Sequence, residues 1–141
     1  MEIRVYKENV IGDLSAKFLQ DLGTTDPVPP RGMLLQAMNE VLVSLRLMCS
    51  RFLRPSYDLV ADDSLSSADA FVFSFTMGER RMAGKAQSLA DAIHSYLVNA
   101  TLGKVYADRN NTDMAQKRAT LAQGDGQLIL SLLNSKIPPV V

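Results

Sequence analysis

The sequence predicts a mainly α-helical chain: a four-helix bundle-like core, a small β-hairpin between the second and third helices, and extended terminal arms. Three observations predict it. Apolar residues recur every three or four positions over four stretches, as one buried helix face requires. All six prolines, at 27, 29, 30, 55, 138 and 139, lie outside those stretches, where a missing N–H and a fixed φ break nothing. The clearest two-residue alternation is at Ala70 to Thr76, the period of a strand.

At the start, in residues 1–8, Ile3 and Val5 point one way and Arg4 and Tyr6 the other. That suits a strand or an extended arm. A first helix is expected from about Asn9 to Leu22, with Asn9 as its cap and Ile11, Leu14, Phe18 and Leu22 buried. Gly23 should end it. Thr24 to Pro30 holds three prolines in its last four residues, which forbids a helix and leaves an extended connector.

The second helix should run from Met33 to Leu53 and stop at Arg54-Pro55. Its face is Leu34, Leu35, Met38, Val41, Leu42, Leu45, Met48, Cys49 and Phe52. Residues 56–78 form the β-rich insertion. A short strand at Tyr57 to Val60 is expected to pair with Ala70 to Thr76, whose Phe71, Phe73 and Phe75 share one face. A lone hairpin is marginal in water, so this one must pack on the helices or on a neighbouring subunit. A third helix is expected from about Glu79 to Tyr106, buried along Ala86, Leu89, Ala90, Ile93, Leu97 and Ala100. A fourth follows Asn111 or Thr112, with Ala115, Ala119, Ala122, Leu128, Ile129, Leu132 and Leu133 inward. Gly124 and Gly126 flank Asp125 within it, and each glycine costs about 1 kcal/mol against alanine, so a kink or break is expected there. The tail, residues 135–141, is extended.

Composition bounds the rest. The chain has 141 residues, 47% of them apolar, enough for one domain with a modest core. Its 15 basic and 15 acidic residues cancel. A zero total argues against a binder that depends on neutralising phosphates. Tryptophan is absent, and nine Phe and Tyr residues are few for stacking on bases or sugars. No apolar run approaches the roughly 20 residues of a membrane span, and the N-terminus lacks the apolar core of a signal peptide. Synthesis in a cytoplasm is the expectation.

Catalytic and metal-binding constellations do not emerge. His94 and Cys49 are the sole residues of their kinds, too few for a usual zinc site and insufficient for a disulfide. Cys49 falls on an apolar face and reads as a small hydrophobe. Gly124-Asp125-Gly126-Gln127 lacks the lysine and the preceding strand of a phosphate loop. Asp58, Asp62, Asp63 and Asp69 lack calcium-loop spacing and read as a solvated loop. Arg80-Arg81, with Lys85, is the densest basic patch. At a helix start such charges oppose the dipole, which points to an acidic partner; the plainer reading is solvated surface.

Read in order, several segments resemble the head-to-tail adaptor (connector) family of tailed bacteriophages. Val10-Ile11-Gly12-Asp13-Leu14 with Phe18-Leu19-Gln20-Asp21 is similar to the family's opening helix. Leu34-Leu35-Gln36-Ala37-Met38-Asn39-Glu40 resembles its second helix, and Leu53-Arg54-Pro55 the exit from it. Leu89-Ala90-Asp91-Ala92-Ile93-His94-Ser95-Tyr96 occupies the place of a later helix, with Ala92 where the family has an aromatic. Ala115 to Leu133 is like the closing helix. The insertion at 56–78 is shorter than in many such adaptors.

The resemblance implies a structural virion protein with no enzymatic activity and no cofactor. Such adaptors form a homo-oligomeric ring, usually a dodecamer, beneath the portal protein at the capsid–tail junction. They prolong the DNA channel without sequence-specific contact and carry the next neck or tail protein. On that basis the expected protein contacts are Phe71, Phe73 and Phe75 of the strand, Arg80 and Arg81, and the tail Lys136, Ile137, Pro138, Pro139, Val140 and Val141. The tail's prolines are already restricted, so docking it as an arm costs little ordering entropy. The alternative is a small cytoplasmic helical protein-binding module. A module should bury its Phe strand within the monomer; an adaptor should leave part of it for neighbours.

Overall fold

The computed structural model describes residues 2–23, 27–54, 70–76 and 84–134. It is mainly α: four helices and one two-stranded antiparallel sheet. In chain order these are β1 (Glu2–Tyr6), α1 (Lys7–Leu22), α2 (Arg31–Met48), a 3₁₀ turn (Ser50–Phe52), β2 (Ala70–Ser74), α3 (Ala86–Asp108) and α4 (Thr112–Asn134).

The N-terminal segment is a strand and not a free arm. Ile3 faces Phe73 and Val5 faces Phe71 across the ladder. All four side chains are buried, while Glu2, Arg4 and Tyr6 stay exposed. The alternation along β1 therefore fixes the register, since a one-residue slip would bury the charges. The Phe strand thus finds its partner about 70 residues before it in sequence. The expected hairpin partner, Tyr57 to Val60, lies outside the described residues. The chain leaving α2 also reaches β2: Leu53 bridges Phe75, Arg54 N–H donates to Ser74 O at 3.0 Å, and Thr76 N–H donates to Phe52 O at 2.8 Å.

α1 begins two residues earlier than the sequence suggests, and Asn9 is not its cap. Strand and helix are contiguous at Tyr6-Lys7, and Tyr6 makes no side-chain cap bond. Tertiary packing sets this start, because Lys7 is buried with its ammonium 5.3 Å from the Phe71 ring. Gly23 does end the helix, at φ 69°, with its N–H on Leu19 O at 2.8 Å. α2 stops at Met48, five residues short of expectation, and tightens into the 3₁₀ turn before Leu53 joins the sheet. Its buried line is Leu34, Met38, Val41, Leu42, Leu45, Arg46 and Cys49.

α3 begins at Ala86, after a turn in which Gly84 has φ +80°. No helix therefore covers residues 84 and 85; residues 79–83 are outside the described part. It is the central helix. From Leu97 to Tyr106 it buries Leu97, Val98, Asn99, Thr101, Leu102, Val105 and Tyr106, close to its whole circumference. α4 runs antiparallel to it, since Tyr96 meets Gly126 while Gly103 meets Ala115 and Ala119. Asn111 caps α4 by accepting the Met114 N–H at 3.3 Å.

α4 is unbroken through Gly124 and Gly126, contrary to the expected kink. A Cβ at Gly126 would lie 3.4 Å from Tyr96 and 3.5 Å from Met48, ordinary contact distances, so the position sits on the packed inward line. The inward line of this helix is also rotated from the expected one. It is Arg118, Ala122, Gly126, Ile129 and Leu133, and it leaves Ala119 and Leu128 exposed.

Burial has a consequence for Cys49, which is 0% exposed. Loss of solvent pushes its thiol from 9.0 up to about 11. Burial also raises Tyr96 and Tyr106. Above pH 9 the unfolded thiol loses its proton while the folded one keeps it, so stability is intact below that pH and declines as pH rises to 11. The expected slope from this thiol is about 1.4 kcal/mol per pH unit. Urea midpoints at pH 8 and pH 10 test it: the midpoint should fall, and Cys49→Ala should remove part of the fall.

Candidate interaction surface

The candidate contacts separate into two groups. Phe71, Phe73 and Phe75 are 1%, 0% and 0% exposed. They are core residues of the monomer, so their side chains offer nothing to a neighbour, and the expectation of an interface there is corrected. The reason is the helix layer beneath the sheet. Phe73 and Phe75 stack at 6.3 Å, and the Arg46 guanidinium lies 5.0 Å from the Phe73 ring while donating to Val72 O at 3.2 Å. Arg80, Arg81 and the tail Lys136 to Val141 lie outside the described residues.

The Met38-Asn39-Glu40 stretch divides by depth. Met38 is in the core, Asn39 is half-buried, and Glu40 is exposed and pairs with Lys104 at 2.9 Å, joining α2 to α3. His94 hydrogen-bonds Asp13 at 2.5 Å, joining α3 to α1. The Glu8 carboxylate, held below its usual range by hydrogen bonds from Arg31, joins the starts of α1 and α2. These three pairs are exposed links of small energetic weight.

A buried polar network, which the sequence reading missed, holds α1, α3 and α4 together. Asp21 accepts from Arg118 Nε at 2.8 Å, from Arg118 Nη2 at 2.7 Å and from the Tyr106 hydroxyl at 2.7 Å. Arg118 Nη1 donates to Asn99 Oδ1 at 3.0 Å. The Asn99 amide and the Ser95 hydroxyl both donate to Asp125, at 2.8 and 2.9 Å. Burial and the bond to Asp21 hold Tyr106 protonated well above its ordinary range. Every member has partners, so the network fixes helix register and has no free group aimed at a ligand. Its sequence signal was Arg118, which stands one turn before Ala122 on the inward line of α4.

Among the described residues, large apolar side chains are exposed singly at Tyr6, Leu19, Met33 and Leu47, while α4 carries apolar surface on two flanks. On one flank an open groove of about 610 Å³ is lined by Met48, Tyr96, Ala100, Gly103, Gly126 and Leu130, among others. Small residues line it: at Gly103 an added Cβ would meet Ala119 N at 3.6 Å, an ordinary contact. On the opposite flank Leu121 and Leu128, seven residues apart, are 45% and 49% exposed. Residues so spaced form one stripe.

Among the described residues no group of three or more His, Cys, Asp and Glu side chains is placed to hold a metal ion. No described helix is long and apolar enough to cross a membrane. Compared with known proteins, the chain matches no family model, no curated protein and no solved structure.

Proposed function

We propose that this chain is a subunit of a head-to-tail adaptor ring in a tailed-phage virion. In this reading it docks under the portal protein at the capsid–tail junction, extends the DNA channel and carries the next neck or tail protein. It is a structural protein with no reaction to catalyse, assembled in the host cytoplasm. The order of the helical segments supports the resemblance. The observation that carries the reading is the placement of apolar surface on α4: a groove on one flank and the Leu121/Leu128 stripe on the other. Two different patches on opposite sides of one element suit a heterologous contact, in which each copy's stripe meets the next copy's groove side. Repeated, such a contact closes a ring when its rotation allows.

The burial of Phe71, Phe73 and Phe75 favours a second reading, a small helical protein-binding module, because an adaptor that joined its neighbours through that strand would expose it. Mass photometry decides between them. Mixed with the portal ring of its own genome, the chain should add about one copy per portal subunit, as closed symmetry requires. A discrete small oligomer that ignores the portal would select the module instead. Leu121→Asp with Leu128→Asp should abolish ring growth while leaving the monomer folded, since surface changes usually stay within about 0.5 kcal/mol.

A further inference from the structure

Two copies of α4 can meet at the groove in either direction, and the side chains around it choose one. We propose that α4 of one copy enters the α3–α4 groove of the next with the two α4 helices parallel. Leu121 then rests over Ala100 and Gly103, Leu128 rests beside Tyr96 and Gly126, and Lys117 meets Asp108. The contact rests on the ring reading above and gives it a direction and a register.

Three observations converge. The first is shape. Leu121 and Leu128 are seven residues apart, about 10 Å at the helical rise. The groove follows α3 from Tyr96 to Ala107, about 16 Å, so it takes both. Ala100, Gly103, Ala119 and Ala122 line it, and such small side chains let a helix come close. An amphipathic helix lying in a groove anchors through residues at this spacing.

The second is charge. Among the described residues lining the groove only Lys104 is charged, and it stands toward the Ala107 end. It pairs with Glu40. Beside it the exposed Asp108 borders the hollow that continues from the groove. One positive and two negative groups leave that end acidic. The other end, at Met48, Tyr96, Gly126 and Leu130, carries no charge. The stripe has the matching polarity. Lys117 is exposed and stands one turn before Leu121, about 40° round the helix from it. Gly124, Leu128 and Ser131 follow without charge. Asp113 lies about 80° round the helix from Leu121, outside the contact, and Asp125 is taken up by Asn99 and Ser95. The basic end set on the acidic end makes the helices parallel.

The third is closure. A closed ring relates its copies by rotation, with no step along the axis. A helix stays parallel to its own copy only when it lies along that axis, and equal residues then lie at equal heights. In the antiparallel α3–α4 pair Gly103 is level with Ala115 and Ala119, and Tyr96 with Gly126. At equal heights Leu121 falls opposite Ala100 and Gly103, and Leu128 opposite Tyr96 and Gly126. Asp108, five residues beyond Gly103, is level with Thr112 at the start of α4. Lys117 then lies about 7 Å along the axis from Asp108, a gap its extended side chain spans. One placement satisfies both charge and closure, and it stands α4 along the channel.

Cysteine cross-linking between full-length copies tests this, with the portal ring of the same genome present. Leu121→Cys and Gln123→Cys are carried on separate chains, and so are Leu121→Cys and Leu130→Cys. Gln123 and Leu130 both line the groove, and the native Cys49 is buried and does not compete. Parallel helices bring Leu121 near Gln123 and hold it about 13 Å along the axis from Leu130; antiparallel helices bring it near Leu130 instead. Mild oxidation should form the first mixed two-chain species at least about ten-fold faster than the second, because docking raises the local concentration. Adding Leu128→Asp to the Leu121→Cys chain should bring the first rate down to the second. Lys117→Glu should slow the first about two- to five-fold, the weight of an exposed ion pair, and Asp108→Lys added to it should restore the rate. Equal rates, a faster second pair, or a rate that ignores both charge changes would overturn the proposal. Mass photometry of the same mixtures separates this contact from the ring itself. Copies that add to the portal without the first cross-link sink the contact and leave the ring standing; chains that neither add nor cross-link sink both.

Discussion

Asp21→Ala will destabilise the folded chain by about 3–5 kcal/mol, the cost of stranding a buried charge. Asp21 and Arg118 side chains are only 7% and 9% exposed. The carboxylate takes two hydrogen bonds from the guanidinium and one from the Tyr106 hydroxyl. Alanine leaves Arg118 charged and paired only through Nη1 to Asn99. It also leaves the Tyr106 hydroxyl, in a residue that is 0% exposed, without its acceptor. A small domain is stable by about 5–15 kcal/mol, so the loss is a large share of the total. Replacing both partners, as in Asp21→Leu with Arg118→Met, should recover the part due to the stranded charge but not the part due to the unpaired Tyr106 hydroxyl, since an apolar pair of similar size often matches a buried ion pair. Urea unfolding of the wild type, both single variants and the double variant measures the coupling. A single-variant cost below about 1 kcal/mol would mean that water reaches the site freely.

Phe73→Ala will cost a similar amount, about 3–5 kcal/mol, by deleting a buried ring and leaving a cavity. Phe73 is 0% exposed, faces Ile3 across the ladder, stacks on Phe75 and lies over the Arg46 guanidinium. Its loss weakens the pairing of the two strands and the seat of a buried cation together. The expected result is a lower urea midpoint in the isolated chain, at concentrations where no oligomer exists. This is a functional test as well. If the variant kept the midpoint but lost ring formation, the strand would have to pack on a neighbour, and its assignment to the monomer core would fail.

Four helices were legible in the chain because each carries a three-and-four apolar pattern long enough to bury one face. Their ends were less so. Asn9 looks like a cap, yet Lys7 and Tyr6 set the start of α1, because Lys7 packs over Phe71, a residue no local rule connects to it. The partner of β2 was illegible for the same reason: nothing near Phe71 to Phe75 in sequence announces Ile3 and Val5. On α4 the apolar pattern misled. Arg118 and Gly126 take inward places that a hydrophobic count gives to Ala119 and Leu128, and the polar network explains the first, since Asp21 and Asn99 hold Arg118 inward. The exposed leucine, read as core, is what the outer flank presents. The groove was not legible at all, since it arises where small residues on two helices and Met48 on a third meet.

The β1–β2 ladder also sets an order of events. Ile3 pairs with Phe73 about 70 residues further on, the kind of distant closure that slows folding. The α3–α4 pair, by contrast, joins neighbours in sequence. At about 5–20 residues per second, a ribosome releases the first strand several seconds before its partner exists. For that interval Ile3 and Val5 must wait beside α1 with an unpaired edge, the feature that invites wrong pairing. The Glu2, Arg4 and Lys7 charges around them are then the guard against aggregation. The last strand contact to form is made by residues synthesised about 70 positions ahead of their partner.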